Sequence, residues 1–441
     1  MYVVIDAQDL SPGQPDNTHF PSFILPTMAD VVEPALRSGE DRIAREDILG
    51  VLPTGDLAYR VLFFDNSHDR LKTVDIPTLP SELSSLLVTD LPAHLQHDLL
   101  HVVISTRSGT GTAPAVFSNL VQPFLASLGR DYEVYETETE NTIPELARTK
   151  FLERACQGIA QTIVLLTGDG GLVDLVNVFY KSDRTVSVPP TIALIPCGTG
   201  NAMASSIGFR SGPMSGLPAL LRGQPSSLPV FAAQFSPGSR LVIDEGRGRA
   251  RIDGSHLYGA VVASWGFHAA LVADSDTAEY RAFGAQRFQM AAQELLYPSD
   301  GSVPHAFRGR ITLITAECGQ EALPDPEHMY VLATLVPRLE KEFLISPDSE
   351  ALSGQMKLIR FGPLSADQAM SLMTRAYQGG QHVQDETVTY AEVDGLRIDF
   401  QEDEERWRRV CIDGQIVAVE PDGWMAVRKE PRRMLAVLQV Q

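Results

Sequence analysis

Apolar runs alternate with glycine-containing loops and helical patterns between residues 97 and 225. The runs HVVIS, TIVLLT and TIALIP are typical of strands that are buried on both faces of a sheet. Each run precedes a loop with glycine and then a segment with helical spacing, such as AVFSNLVQPFL. The repeated order of strand, loop and helix predicts a parallel α/β lobe. Its loops should meet at the carboxyl ends of the strands, where ligands bind in such sheets.

The pattern changes after about residue 225, where short strand candidates follow one another with turn signals between them. They include LVIDEG, RARIDG, RITLITAE, MYVLATLV, QMKLIRFG and RRVCIDG. This succession predicts a C-terminal antiparallel β-sandwich lobe over residues 226–430, interrupted by a helix at about residues 277–296. The most apolar stretch, residues 257–273, is too short to span a bilayer and is typical of a buried pair of strands.

The first 95 residues follow neither pattern. Prolines among polar residues indicate an irregular leader over residues 1–30, and the pieces ILGVL, YRVLFF and LKTVDI indicate a small β-rich module after it. The predicted fold is therefore α/β with two lobes. A leader and β-rich module (1–95) precede a parallel α/β lobe (97–225) and an antiparallel β-sandwich lobe (226–430).

Composition narrows the possible partners. The formal net charge of −20 argues against nucleic acid and against constitutive binding to anionic membranes, because both need a basic surface. Transient peripheral contact through a local basic patch stays open, and the basic segment from Trp424 to Arg433 is interpreted as a solvated tail or as such a patch. The four separated cysteines and an N-terminus unlike a signal peptide predict a cytoplasmic protein with reduced thiols.

Three glycine loops carry the candidate chemistry: STRSGTGTA (105–113), TGDGG (167–171) and PCGTGN (196–201). Glycine lets backbone N–H groups approach an anion, and the helix that follows adds a favourable dipole. The P-loop pattern, the dinucleotide-binding fingerprint and the protein-kinase signatures are all missing. The histidines of HLQHDLLH (94–101) follow Pro92, and His101 begins a strand, so they do not share one helix face and no protein-bound metal is predicted.

Five segments, taken together and in order, resemble the sphingosine kinase and diacylglycerol kinase catalytic family. The three loops are similar to its NPRGGKG, GGDG and PxGSGNA segments. SWGFHAALVADSDTAEYRAFGAQRF resembles its SWGF…YR…GxxRF stretch, and IDGQ resembles its DGE motif. The resemblance covers about residues 97–425. It implies an ATP-dependent lipid kinase, and some relatives carry a pleckstrin-homology-like module before the catalytic part.

The resemblance also implies roles for individual residues. Asp169 would be the general base that accepts a proton from the lipid hydroxyl, whereas the alternative from the residues alone is an aspartate that caps the following helix. Asp274 and Asp276 would bind the lipid substrate. ATP would be bound, with Mg²⁺ bridging its phosphates. The residues expected to bind the nucleotide are Ser105, Arg107, Gly109, Gly111, Thr167, Gly168, Gly170, Asp174, Gly198, Thr199, Gly200, Asn201, Arg281, Arg287 and Asp413.

The chain departs from the family pattern at several positions. Ser105 and Thr106 replace Asn-Pro in the first loop, and Gln415 replaces the acidic residue of the DGE motif. Ala270 or Val272 falls where the family has its substrate-binding aspartate. The expected acceptor is the primary hydroxyl of a sphingoid long-chain base. A kinase of diacylglycerol or ceramide, and a pseudokinase that binds lipid or a partner without turnover, are the alternatives.

Overall fold

A computed structural model describes residues 36–38, 41–55, 58–209, 212–281, 283, 286–316 and 319–440. Side chains are described from residue 43 onwards within these ranges, except that of Arg281. The contacts divide the chain into two compact units, with the boundary between residues 89 and 90. Of the predicted leader, residues 1–30 lie outside the described part.

The smaller unit is built from antiparallel strands. Two short strands, β1 and β2, pair with each other, and three longer ones form the meander β3–β4–β5. Val51, Val61 and Leu83 are buried at its centre, where apolar positions alternate along the strands. The strand bounds are β1 Leu36–Ser38, β2 Asp41–Ile43, β3 Ile48–Pro53, β4 Tyr59–Asp65 and β5 Arg70–Ile76.

A six-stranded sheet forms the α/β lobe, in the order β10-β26-β9-β8-β6-β7. All neighbours from β26 to β7 are parallel, and only β10 runs antiparallel, against β26. Every residue of β6, β8 and β9 is buried, as the apolar runs predicted. The bounds are β6 Leu100–Ile104, β7 Glu133–Glu136, β8 Thr162–Thr167, β9 Thr191–Pro196, β10 Gln224–Ser227 and β26 Ala436–Gln439.

Helices connect the strands of this lobe. The first connection contains α2 and α3 joined by a π-helical segment, Phe117–Val121, and the second contains α4 and α5 joined by another, Ala147–Phe151. The bounds are α1 Ala93–Gln96, α2 Ala113–Val116, α3 Gln122–Ser127, α4 Thr142–Leu146, α5 Leu152–Cys156, α6 Asp169–Lys181, α7 Ala202–Ser206 and α8 Gly216–Arg222.

The second lobe contains two antiparallel sheets. One has seven strands, in the order β14-β11-β25-β22-β16-β17 with β18 beside β16. The other has eight, in the order β13-β12-β24-β23-β15-β19-β20-β21. Trp265 of the eight-stranded sheet packs edge-on against Phe307 and Phe400 of the other, so the core lies between the sheets. The predicted antiparallel sandwich is confirmed. Its strands are β11 Val230–Phe235, β12 Arg240–Ile243, β13 Gly248–Arg251, β14 His256–Gly259, β15 Val262–Gly266, β16 Phe307–Thr315, β17 Gly319–Ala322, β18 Glu327–His328, β19 Tyr330–Thr334, β20 Met356–Phe361, β21 Val388–Val393, β22 Gly395–Phe400, β23 Arg409–Ile412, β24 Gln415–Ala418 and β25 Trp424–Glu430.

Two local predictions for this lobe were wrong. The apolar stretch 257–273 is a pair of strands only at first, because it continues as the helix α9 (Phe267–Ser275), buried on nearly all sides. The segment from Trp424 onwards is not a solvated tail, because β25 lies between β11 and β22 in the seven-stranded sheet. The remaining helices are α10 Ala278–Arg281, α11 Arg287–Leu296 and α12 Ala366–Tyr377. None of the described helices combines the length and apolar character needed to cross a bilayer.

Candidate active site

The three glycine loops lie at the carboxyl ends of β6, β8 and β9, as expected for a parallel sheet. Hydrogen bonds join them to one another. The Ser108 hydroxyl accepts from the N–H of Gly168 at 2.7 Å, and the N–H of Cys197 donates to the Thr167 carbonyl at 2.9 Å. The loops therefore form one layer at the edge of the sheet.

Glycines hold this layer together by close backbone contact. A Cβ atom on Gly198 would lie 2.4 Å from the Cα atom of Gly168, and one on Gly109 would lie 2.6 Å from the Cys197 carbonyl oxygen. Gly109 also has a φ of +56°, which side chains disfavour. Gly170 differs, because nothing lies within 4 Å of its Cβ position. Several loop glycines are thus required for packing between loops, independently of any bound anion.

Asp169 is the first residue of α6, yet its carboxylate binds the start of another helix. Its two oxygens accept hydrogen bonds from the N–H groups of Ala202, at 2.7 Å, and Met203, at 3.0 Å, at the N-terminus of α7. The expected alternative role, capping of the following helix, is therefore replaced by capping of α7. These two bonds fix the direction of the carboxylate, which lines the main cleft.

Asn201 shapes the third loop. Its side chain accepts from the Gly198 N–H at 2.9 Å and donates to the Gly198 carbonyl at 2.7 Å, and its own φ of 52° is left-handed. Asparagine tolerates this conformation better than most residues. The side chain closes the loop on itself, and Asn201 is not among the residues that line the main cleft.

The sandwich lobe contributes Asp413, in the tight turn between β23 and β24. Asp413 and Gly414 both have positive φ, 48° and 89°, as a two-residue type I′ hairpin requires. The carboxylate accepts from the N–H groups of three consecutive residues, 260–262, at 2.5–3.2 Å. Burial raises the pKa of Asp413 to about 7 and the nearby Asp169 carboxylate adds to this, although the three N–H groups oppose the shift.

Asp174 is on α6, one turn after Asp169, and also faces the cleft. Burial raises the pKa of Asp174 to about 7, and repulsion from Glu140 contributes to the same shift. Glu140 follows β7 and was not predicted from the sequence. The two carboxylates lie together on one side of the cleft. A cation or a bound ligand with donor groups would relieve their repulsion.

The cleft between the loops and the sandwich lobe has a volume of ≈ 700 Å³. It brings together most of the residues predicted from the sequence. Its lining includes Arg107, Gly109, Gly168, Asp169, Gly170, Asp174, Gly198, Thr199, Gly200, Asp276, Arg287 and Asp413. Val272 and Gln415, two of the departures from the family pattern, also line it. Residues that the sequence did not single out complete the lining: Ser108, Glu140, Val173, Val261, Val262, Cys411 and Gly414.

Five predicted residues do not line this cleft. Asp274 was expected to bind substrate, but its carboxylate pairs with Arg406 at 2.8 Å and with Arg409 at 2.6 Å, which satisfies its charge inside the sandwich lobe. The side chain of Arg281 lies outside the described part. The predicted residues that are described but not part of the lining are Ser105, Gly111, Thr167, Asn201 and Asp274.

Arg287 is the first residue of α11, and its guanidinium lies 3.8 Å from the Asp276 carboxylate at the cleft. Only 12% of its side chain is exposed, so the charge is held in place and not solvated on a helix surface. Among the residues that line the cleft, Arg107 and Arg287 supply two guanidinium groups against five carboxylates. An anionic ligand would therefore need an added cation to bind here.

α6 joins the two lobes of the larger unit. The Asn177 side chain donates to the Tyr258 carbonyl at 2.9 Å and accepts from the Tyr258 N–H at 3.1 Å, which attaches α6 to β14. On α7, the Ser206 hydroxyl donates to the Arg338 carbonyl and accepts from the Arg338 N–H. The helices that follow the second and third loops are thus both fixed to the sandwich lobe.

Comparison with known proteins agrees with this architecture. Residues 99–233 match the family model described as the diacylglycerol kinase catalytic domain. Human sphingosine kinase 2 is 26% identical over 56% of this chain and 34% of its own length. Human sphingosine kinase 1 is 23% identical over 72% of this chain and 86% of its own length. The chain therefore spans about a third of the first of these relatives and most of the second.

Solved structures show the same fold. Two structures of a Bacillus anthracis str. Sterne protein, assigned as a diacylglycerol kinase, match with TM-scores of 0.51 and 0.52, at 15% and 14% identity. Each match covers 78% of this chain and 97% of the other. At this identity the likeness to these structures shows the fold, an α/β lobe followed by an antiparallel sandwich lobe. Residues 99–233 thus match the diacylglycerol kinase catalytic domain, and longer parts of the chain are similar to sphingosine kinases, in agreement with the motifs.

Proposed function

We propose that the protein is an ATP-dependent lipid kinase that transfers the γ-phosphate of ATP to the primary hydroxyl of a sphingoid long-chain base. The observation that carries the proposal is the position of Asp169. Its carboxylate lies in the cleft between the glycine loops and the sandwich lobe, held by two N–H groups of α7. The names of several relatives support the acceptor class, among them sphingosine kinase 1 and sphingoid long-chain bases kinase 1 of Arabidopsis thaliana.

In this proposal Asp169 takes the proton of the lipid hydroxyl as the hydroxyl oxygen attacks the γ-phosphorus. The bond from phosphorus to the β,γ-bridging oxygen breaks, and ADP leaves with the electron pair. A general base must point at its proton, and the two N–H groups of α7 restrict the carboxylate to one orientation. Asp413 lies close enough to Asp169 for the repulsion between the two carboxylates to raise the pKa of Asp413. It would therefore provide a second carboxyl group beside the reacting hydroxyl.

The phosphates would lie against the glycine-loop layer, where Arg107 and Arg287 face the cleft. A guanidinium group can donate two parallel hydrogen bonds to the oxygens of one phosphate, and its positive charge stabilises the phosphoryl group during transfer. Among the described residues, no group of three or more His, Cys, Asp or Glu side chains could hold a metal ion. In this proposal Mg²⁺ would be bound mainly by ATP, with the Asp174 carboxylate, which faces the cleft, as its candidate protein ligand. Bound there, Mg²⁺ would neutralise phosphate charge.

The acceptor would enter over the apolar part of the lining, which includes Val261, Val262, Val272 and Cys411. A long-chain base carries a protonated amine near its hydroxyl, and Asp276 is the remaining carboxylate at this end of α9 that faces the cleft. Asp274 lies outside the cleft lining and pairs with two arginines at 2.6 and 2.8 Å. Asp276 lines the cleft, its side chain is 43% exposed, and its contact with Arg287 is longer, at 3.8 Å, so we assign the amine to Asp276.

One observation favours an uncharged acceptor instead. Of the two positions that could replace the family's substrate-binding aspartate, Val272 lines the cleft, whereas Ala270 is buried and does not. An apolar side chain there gives a protonated amine no partner, and diacylglycerol or ceramide would need none. The choice between the two acceptor classes depends on whether the Asp276 carboxylate can bind the amine in place of the carboxylate that Val272 lacks.

A competition assay tests the proposal. Sphinganine, ceramide and diacylglycerol are supplied together in mixed micelles with radiolabelled ATP, and each phosphorylated product is measured. We expect the long-chain base to be labelled preferentially, and the Asp276→Asn variant to lose this preference. Asp183→Asn, an exposed aspartate outside the cleft, serves as the matched control. Preferential labelling of diacylglycerol would assign the other acceptor, and ATP binding without any labelled lipid would indicate a pseudokinase.

A further inference from the structure

A second concave surface lies on the outer face of the seven-stranded sheet. This surface, the sheet hollow, has a volume of ≈ 470 Å³ and shares no residue with the cleft. Neighbouring strands of the sheet supply its lining, which is mostly polar. The residues are Gln234 of β11, Arg310, Thr312 and Ile314 of β16, Gln320 of β17, Arg397 and Asp399 of β22, and Trp424, Ala426 and Arg428 of β25.

Strand pairing explains why these side chains share one face. In the ladder between β16 and β22, Arg310 is opposite Asp399 and Thr312 is opposite Arg397. The residues between them, such as Ile311 and Ile398, are fully buried in the sandwich core. Because side chains alternate along a strand, the opposite face carries the polar set. The hollow is therefore formed by regular strand pairing and does not depend on an irregular loop.

The positive charges of the arginine side chains in the hollow are only partly balanced by its carboxylate. The Arg397 guanidinium bonds to Asp399 at 2.6 Å and lies 4.3 Å from the centre of the Trp424 ring. Arg310 and Arg428 are exposed, and within the part of the chain that the structure describes neither forms an ion pair or hydrogen bond. The hollow thus holds three guanidinium groups against one carboxylate, an excess of positive charge that is unexpected on a chain with a net charge of −20.

The neutral groups of the hollow complement these cations. Gln234, Gln320 and Thr312 provide amide and hydroxyl groups that can donate to an oxyanion. Arginine binds phosphate through paired donors, which makes a phosphate group the anion that fits best. Trp424 and Ile314 add an amphipathic ring and an apolar side chain to the same surface. Tryptophan is enriched where proteins meet the membrane interface, which favours a lipid over a free phosphate ester.

We propose that the sheet hollow binds the phosphate-bearing headgroup of an anionic phospholipid and so docks the protein at a membrane surface. Arg310 and Arg428 contact the phosphate, and Trp424 lies at the level of the headgroups. The docking surface is separate from the cleft, so membrane binding does not depend on phosphoryl transfer.

Vesicle sedimentation of the full chain tests this, with phosphatidylcholine vesicles that either contain or lack phosphatidylserine. We expect wild-type protein to bind the vesicles with phosphatidylserine more tightly. The double variant Arg310→Glu, Arg428→Glu should lose about tenfold or more in affinity, since each basic residue near an anionic surface contributes on the order of 1 kcal/mol. The milder variant Arg310→Gln, Arg428→Gln should lose less, and thermal unfolding shows whether both are folded.

The matched control is Arg148→Glu, Arg184→Glu, which changes the same charge at two exposed arginines of the α/β lobe outside both concave surfaces. Equal vesicle binding by the hollow variants and wild type, or an equal loss in the control, would overturn the proposal. Binding of soluble glycerol phosphate without binding of vesicles would assign the hollow to a free phosphate ester and would also overturn membrane docking. Kinase activity towards detergent-dispersed lipid should stay unchanged in the hollow variants.

Discussion

Asp169 combines a structural role with its proposed catalytic role, because the same carboxylate that faces the cleft also caps α7. The sequence motif identified the residue but not this second role, since the two N–H groups belong to a helix more than thirty residues away in the chain. Asp274 shows the opposite case. Its spacing after SWGF made it a substrate-binding candidate, and only the fold reveals the arginines at positions 406 and 409 that occupy it.

Replacement of Asp169 by asparagine should lower lipid phosphorylation by about 10²–10⁴-fold, because the amide cannot accept the hydroxyl proton. One of the two α7 bonds would also be lost, which costs about 1 kcal/mol of stability. Steady-state kinetics and thermal unfolding measure the two effects separately. Unaltered turnover in a folded variant would contradict the assignment of the base.

The raised pKa of Asp174 predicts that the free energy of unfolding changes with pH. Its pKa of about 7 in the folded protein lies above the unfolded value near 3.8, so between these pH values the folded state retains a proton that the unfolded state has lost. Its contribution to stability therefore falls as the pH rises through this window. The variant Asp174→Asn removes the ionisable group and should melt higher than wild type at pH 8, with the difference shrinking towards pH 4.

The control for this titration is Asp183→Asn, because that aspartate is exposed and lies outside the cleft. Its melting temperature should follow that of wild type at every pH. Glu140→Gln should reproduce part of the gain at pH 8, since repulsion from Glu140 is the second cause of the shift. A difference between Asp174→Asn and wild type that does not vary with pH would contradict the prediction.

At the scale of elements, the three loops behave as one layer and not as three separate turns. The buried strands before them were predictable because each is a continuous apolar run. The close contact between Gly198 and Gly168 was not predictable, since the sequence of one loop carries no information on the backbone position of another.

The sequence did not indicate α12, although the helix begins with a capping box, Ser365 with Gln368. α9 was read as a strand because it is apolar on nearly every side and so lacks helical periodicity.

A pair of alanine substitutions tests the packing of this layer. Gly198→Ala should lower stability by about 1–3 kcal/mol and weaken ATP binding, because its methyl group would push the second loop away. Gly170→Ala is the matched control for stability alone, since its Cβ position is open and it lies within α6, where alanine is the better helix former. Thermal unfolding with and without ATP measures both. Equal behaviour of the two variants would show that the loops do not pack as described.

At the scale of the whole molecule, the C-terminal segment connects the two lobes. β25 belongs to the seven-stranded sheet, and only five residues later β26 enters the six-stranded sheet between β9 and β10. Tyr180 of α6 holds the connection, because its hydroxyl donates to the Arg432 carbonyl and accepts from the Met434 N–H. The sequence pattern predicts the two lobes as consecutive segments. It does not predict that the chain returns to the α/β lobe after the sandwich, because strand pairing between distant segments leaves no local signal in the sequence.

The returning strand should be essential for stability. Leu438 is fully buried in β26, and Leu438→Ala should lower the free energy of unfolding by about 2–5 kcal/mol. Val440, which is 46% exposed just beyond the strand, is the matched control, and Val440→Ala should be nearly neutral. Chemical denaturation of both variants provides the comparison. A small loss for Leu438→Ala would mean that β26 adds little to the α/β lobe.

The return of β26 has a consequence for synthesis on the ribosome. The sheet that supports the glycine loops combines strands from between residues 100 and 227 with β26, which is synthesised about two hundred residues later. While the sandwich lobe is still being translated, that sheet has no strand between β9 and β10, and the edge of β9 stays open. An open parallel edge can pair with other chains, so we expect the nascent protein to be prone to aggregation until β26 has been synthesised.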